Sequence, residues 1–246
     1  MKNKLLNLIG LLFAVSFLSS VKVPPQKTRI KVKLSQPVEV NSICVEENYL
    51  PDNFLIIYNS FKKYNPYVDS VTALRFADVV NCFGLNDKET VRWSIGQILL
   101  ESGAKQYYQP THPKEGRLVV SSAGAIGFTQ ILPSTAYGYM IKKVSKEDKE
   151  CFRELGVTDF SFAYSKIYSK TKKINMTKVW LMDENNNMAM WGKIMSSKLK
   201  TKPIIDALIT YNAGSGGLNK YVNSGGLKIK HKYIRGIKDR LSKVGL

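Results

Sequence analysis

Apolar positions recur along most of this chain at the spacing of α-helices, and the one long departure lies at its start. Lys2 and Lys4 precede an uncharged apolar run over residues 5–18 that closes on Ser19 and Ser20. A basic lead, a short apolar run and small residues after it make a secretory pattern, and the run falls short of the roughly 20 apolar residues of a membrane span. Residues 1–21 therefore read as a signal peptide or N-terminal anchor, with export the favoured outcome. Residues 22–65 read as a basic linker and lead-in segment. In it Ile30, Val32 and Leu34 alternate with Arg29, Lys31 and Lys33 in the period of an edge strand, and Phe54, Ile57, Tyr58 and Phe61 then share one helical face. The main domain spans residues 66–246.

Within it, Val71, Leu74, Val79 and Phe83 mark a second helical face. Asn86 or Asp87 caps the next helix, which runs through Val91, Trp93, Ile95, Ile98, Leu99 and Leu100 and is apolar on nearly every side, as a buried helix is. Winding it at about 100° per residue puts Ser94, Gln97 and Glu101 in one narrow polar strip, and Gly103 supplies the stop. Pro110, Pro113 and Gly116 punctuate a loop before a strand-like piece at residues 117–120, which predicts a small β-hairpin. Pro133 with Ser134 and Thr135 opens another helix, the Lys-rich stretch 141–173 reads as a solvated insertion, and two more helices begin near Asp183 and Pro203. The fold class is mainly α.

Charge is the abnormal quantity. Lys and Arg outnumber Asp and Glu by 37 to 19, a formal charge of +18, and such a field concentrates polyanions. Nucleic acid, anionic lipid and anionic wall polymer all satisfy it, so charge alone names no partner. Lysines are spread along the chain without a nucleic-acid-binding motif, and no specific nucleic acid is expected. With 44% hydrophobic and 23% charged residues the composition is that of a globular protein and excludes a disordered one. Three cysteines, Cys44, Cys82 and Cys151, allow at most one bridge, so no disulfide framework holds this fold. His112 and His231 stand far apart and away from the cysteines, leaving little material for a zinc site or a Ser-His-Asp triad.

Three stretches carry candidate chemistry. Glu101 lies at the negative end of a buried helix beside Ile98, Leu99 and Leu100, and both surroundings disfavour its ionised form. A raised carboxyl pKa suits a general acid that protonates a leaving oxygen near neutral pH. The small residues of 121–127 let the backbone turn sharply and approach a ligand, and Gln130 then offers a neutral amide of the kind that reads sugar hydroxyl and N-acetyl groups. Lastly, a helix bearing Ile204, Leu208 and Tyr211 ends at Gly214 and presents a phenol and the Asn212 amide at its exit. Taken singly, each stretch reads as readily as ordinary structure.

Together they resemble the soluble lytic transglycosylases, peptidoglycan-cleaving relatives of goose-type lysozyme. That family shows a helix ending in Glu-Ser, a Gly-Ala-x-Gly-x-x-Gln-Ile turn, Pro-x-Thr-Ala, then Tyr-Asn-Ala-Gly. Glu101-Ser102, residues 124–131, residues 133–136 and residues 211–214 match in order, and the resemblance spans roughly residues 66–235. Asn187 opens a stretch similar to the family's Asn-Ile-x-x-Gly helix, with Trp191 where Gly is expected; Phe128 and Thr129 stand where Leu and Met are usual, a change expected to alter subsite shape.

The resemblance implies a lysozyme-like fold and cleavage of the bond between N-acetylmuramic acid and N-acetylglucosamine, leaving 1,6-anhydro ends. It implies Glu101 as the catalytic acid and base, Gln130 contacting the sugars, Tyr211 hydrogen-bonding near the acid, and Ser102 and Asn212 shaping the site. No metal or organic cofactor is implied. The partners it implies are peptidoglycan glycan strands in the periplasm or cell envelope, with anionic wall polymer or a membrane surface as the further partner that the charge suggests. Two alternatives stay open: a hydrolytic muramidase or chitinase on the same fold, and a non-catalytic basic envelope or virion protein that binds the wall. Glu115, in the loop after the Glu101 helix, is the one acidic residue placed to act as a second carboxylate, and it is expected to be dispensable.

Overall fold

Nine α-helices account for most of the described residues, which in this computed structural model are 50–246 apart from residue 143. They are α1 (Phe54–Tyr64), α2 (Ser70–Cys82), α3 (Lys88–Glu101), α4 (Pro133–Met140), α5 (Lys146–Glu154), α6 (Lys170–Trp180), α7 (Glu184–Leu199), α8 (Ile204–Asn223) and α9 (Lys232–Val244). The leader, the alternating stretch at Ile30, Val32 and Leu34, and Cys44 lie outside the described residues. The architecture is mainly α. Among the described residues no helix is long and apolar enough to cross a membrane.

Local chemistry explains where several helices begin. Asp69, Asp87 and Asp183 each accept the backbone N–H three residues on, from Thr72, Thr90 and Asn186, and each such cap is worth about 1 kcal/mol. Pro133 occupies the first turn of α4, where its missing N–H costs nothing.

The centre of the core is aromatic. Phe76 of α2 lies with its ring centroid 5.4 Å from that of Phe61 in α1, 5.8 Å from Phe128 and 4.9 Å from Trp191 in α7. Phe54, Ile57 and Phe61 are all buried there, so α1 belongs to the packed body and the chain before residue 66 is more than a lead-in. On α2 the expected face is displaced: Val71 is exposed, and the buried positions are Ala73, Phe76, Ala77, Val79 and Val80. Small side chains face α1 and α7 because those helices approach closely. Gly192 serves that approach, since a Cβ there would stand 2.4 Å from the Phe83 ring and 2.7 Å from Val79. The glycine expected at position 191 thus has its counterpart one residue on.

The hairpin expected near residues 117–120 is reduced to one isolated antiparallel bridge, Tyr107 with Leu118, flanked by backbone hydrogen bonds from Tyr108 N to Arg117 O, Gly116 N to Tyr108 O and Val119 N to Gln106 O; Val120 with Ile126 and Ile126 with Ile131 form further isolated bridges. The Lys-rich stretch is likewise no solvated insertion. Its described lysines are exposed or half-buried, but α5 buries Cys151 and Phe152, Ala163 is buried beyond it, and Cys151 is joined to Cys82 of α2 by a disulfide. Asp148 of α5 also pairs with Lys193 of α7 at a largely buried position.

Candidate active site

α3 runs through the interior and ends at a cleft of about 590 Å³, a size suited to a small ligand or a length of polymer. Of its polar strip, Ser94 and Gln97 are buried, at 1% and 0% exposure, and Glu101 alone opens on the cleft. Gln97 accepts the Trp191 indole N–H at 3.1 Å, which ties α3 to α7 beneath the acid. Ser94 Oγ and Gln97 Nε2 are buried without a hydrogen-bond partner among the described residues.

Burial pushes the Glu101 carboxyl up to about 7, and the one opposing influence is a hydrogen bond donated by the Tyr233 phenol to its Oε1. Tyr233 stands in the first turn of α9, a helix that packs along α3 through Ile234, Ile237 and Leu241. Nothing in the motifs marks it. Its spacing with Ile237 and Leu241 is that of a core position, and the sequence places it 132 residues from its partner.

The other site residues arrive on two further elements. Residues 121–131 form a tight turn held from below by two buried amides. Gln106 Oε1 accepts the Phe128 N–H at 2.6 Å while its Nε2 donates to Met182 O at 2.9 Å, and Asn187 Oδ1 accepts from Thr129 N and Oγ1 while its Nδ2 donates to Ile126 O. Gly127 is required by this arrangement, because a Cβ would stand 2.2 Å from Gln106 Oε1. Gln130 takes the left-handed conformation, φ 51°, rare for a residue with a side chain. Its Nε2 donates to Gly127 O at 2.8 Å and to Val119 O at 3.2 Å, which leaves the amide oxygen as the group that can meet a ligand in the cleft.

Tyr211 and Asn212 reach the cleft from α8, which breaks at Gly214, φ 70° and ψ 170°, a conformation open in practice to glycine alone. The Tyr211 phenol donates to Thr129 O at 2.7 Å, so it clamps α8 to the turn, and the phenol that touches Glu101 is Tyr233. Burial and then the neighbouring Glu101 hold both phenols well above their ordinary pKa, and both remain protonated donors.

Two expectations are corrected here. Ser102 is buried at 6% exposure and donates to Phe128 O at 2.6 Å, so it fastens the end of α3 to the turn and does not face the cleft. Phe128 and Thr129, both at 0% exposure, point into the core and cannot reshape a subsite directly. Glu115, expected to be dispensable, is exposed and does not line the cleft, where Glu101 is the one acidic side chain among the described residues. Among the described residues no group of three His, Cys, Asp or Glu side chains is arranged to hold a metal ion.

Compared with models of known protein families, with curated proteins and with solved structures, the chain matches none.

Proposed function

We propose that this protein is a peptidoglycan lytic transglycosylase with a lysozyme-like fold, acting on the bond between N-acetylmuramic acid and N-acetylglucosamine. The observation that carries the reading is a carboxyl raised to about 7, alone among the described residues in lining the cleft as an acid, beside Gln130, Tyr211 and Asn212. Protonated Glu101 donates its proton to the glycosidic oxygen as the bond from C1 breaks and the N-acetylglucosamine leaves as an alcohol. The resulting carboxylate then takes the proton of the muramic 6-hydroxyl while that oxygen closes on C1. Glu101 returns to its starting state, no water is consumed, and a 1,6-anhydro end is left.

Hydrolysis by the two-carboxylate route needs a second acid within roughly 5 to 9.5 Å of the first, and among the described residues the cleft lining supplies none. With a single acid, charge at C1 falls to the substrate's own N-acetyl carbonyl, and the tethered hydroxyl outcompetes water through its high effective concentration. The Cys82–Cys151 bridge supports export to the periplasm or cell envelope, since such bonds persist in oxidising compartments. The +18 charge supports attraction to anionic wall polymer. Digestion of purified sacculi followed by mass spectrometry tests the reading. Released muropeptides one water lighter than hydrolytic products, absent with Glu101→Gln, are expected; full-weight products would move the protein to the hydrolases, and unchanged cleavage by Glu101→Gln would remove Glu101 from its role.

A further inference from the structure

The cleft contains one feature that this mechanism leaves idle, a lysine on its wall. Ile194 and Lys198, one turn apart on α7, both line the cleft that holds Glu101. Lys198 is half-buried and forms no ion pair with any described residue, and neither do Lys142 and Lys202. Lys142 follows α4, with its ammonium 4.5 Å from the centre of the Tyr139 ring; Lys202 lies just beyond the end of α7. Burial and then these two neighbours push the Lys198 ammonium below its ordinary range. Glu101 forms no ion pair with Lys198 and, with a pKa of about 7, is only partly ionised near neutral pH. A partly desolvated cation beside two like charges is unfavourable unless an anion meets it.

The geometry points to Lys198, supported by Lys142 and Lys202, as the binding site for a carboxylate carried by the glycan in the cleft. This rests on the peptidoglycan reading and narrows it. A neutral N-acetylglucosamine polymer carries no such group, whereas a muramic residue does, either on its lactyl ether or through the stem peptide attached there. Pairing the carboxylate with Lys198 sets the register of the strand, so that a muramic ring and not a glucosamine ring presents C1 to Glu101. Lys198 is then a specificity residue, and its effect belongs to the choice of glycan.

The test measures equilibrium binding in the Glu101→Gln background, where no turnover intervenes. Three ligands of equal length are compared by calorimetry: peptide-free glycan with free lactyl carboxylates, glycan bearing stem peptides, and neutral chito-oligosaccharide. Adding Lys198→Met should lower the preference for carboxylated over neutral glycan roughly tenfold, as expected for a lost charge-assisted hydrogen bond, and Lys198→Arg should restore most of it. Loss confined to peptide-free glycan assigns the lactyl carboxylate; loss confined to peptide-bearing glycan assigns the stem. An unchanged ratio, or equal weakening of neutral glycan, overturns the proposal while leaving the cleavage reading to sacculus digestion. Failure of all three ligands to bind with Lys198 in place overturns both.

Discussion

Replacing Glu101 by Gln keeps the shape of the side chain and its acceptor for the Tyr233 phenol while removing the charge, which makes stability a probe of the acid's environment. The folded state holds the Glu101 proton more tightly than the unfolded chain, with a pKa of about 7 against 4.5. Stability from this group is therefore complete below pH 4.5 and declines as pH rises toward 7, levelling off above it. At roughly 1.36 kcal/mol per unit, the ionised carboxylate costs the fold about 3 kcal/mol at about pH 8.5 and about 1 kcal/mol at about pH 5. Gln carries no such cost. The variant should exceed the native protein in stability by about 2 kcal/mol more at the higher pH than at the lower, equivalent to roughly 4 to 8 °C in Tm for a domain of this size. Denaturant titration and calorimetry of both proteins at the two pH values measure the difference directly. A gap that stays constant with pH, or narrows as pH rises, would show that Glu101 is not held in the desolvated state from which its acidity is argued.

Tyr233→Phe removes the one group that favours ionised Glu101, so the basic limb of the pH profile of glycan cleavage should move to higher pH; a profile that stays put or moves down would exclude the phenol as a modulator of the acid. Reducing the Cys82–Cys151 bridge frees a loop with a sequence separation of 69 residues, for which loop entropy gives a stability loss of about 4 kcal/mol. Equal denaturant midpoints with and without reductant would refute that.

Much of the helical order was legible because periodicity reports which face of a helix is buried, and the caps at Asp69, Asp87 and Asp183 are chemical signals local to a few residues. What packs on that face is another matter. Val71 looks as apolar as Val79, yet only α1 and α7 decide that Ala73 and Phe76 go inward. The Lys-rich stretch misleads for a related reason: a few apolar residues, such as Phe152 and Ala163, suffice to anchor it while lysines dominate its composition. Within the site, Glu101, Gln130, Tyr211 and Asn212 are all found from the motifs, and all four line one cleft. Ser102 was misassigned because a hydroxyl beside an acid looks the same in sequence whether it faces the cleft or a carbonyl behind it. Gln106 and Tyr233 act through partners brought to them by tertiary packing, and no local pattern encodes such a meeting.

Glu101 lies on α3 and the phenol that adjusts it lies on α9, so the acid is made long before its hydrogen-bond partner. The burial that holds the Glu101 proton exists only in the folded chain; in the unfolded chain the group returns to the ordinary 4.5 and is ionised at neutral pH. The protonated form of the group at neutral pH is thus a product of tertiary packing. An unfolded molecule carries every motif residue and still lacks this raised carboxyl, so the Glu101 pKa reports the completeness of the fold more strictly than helix content does.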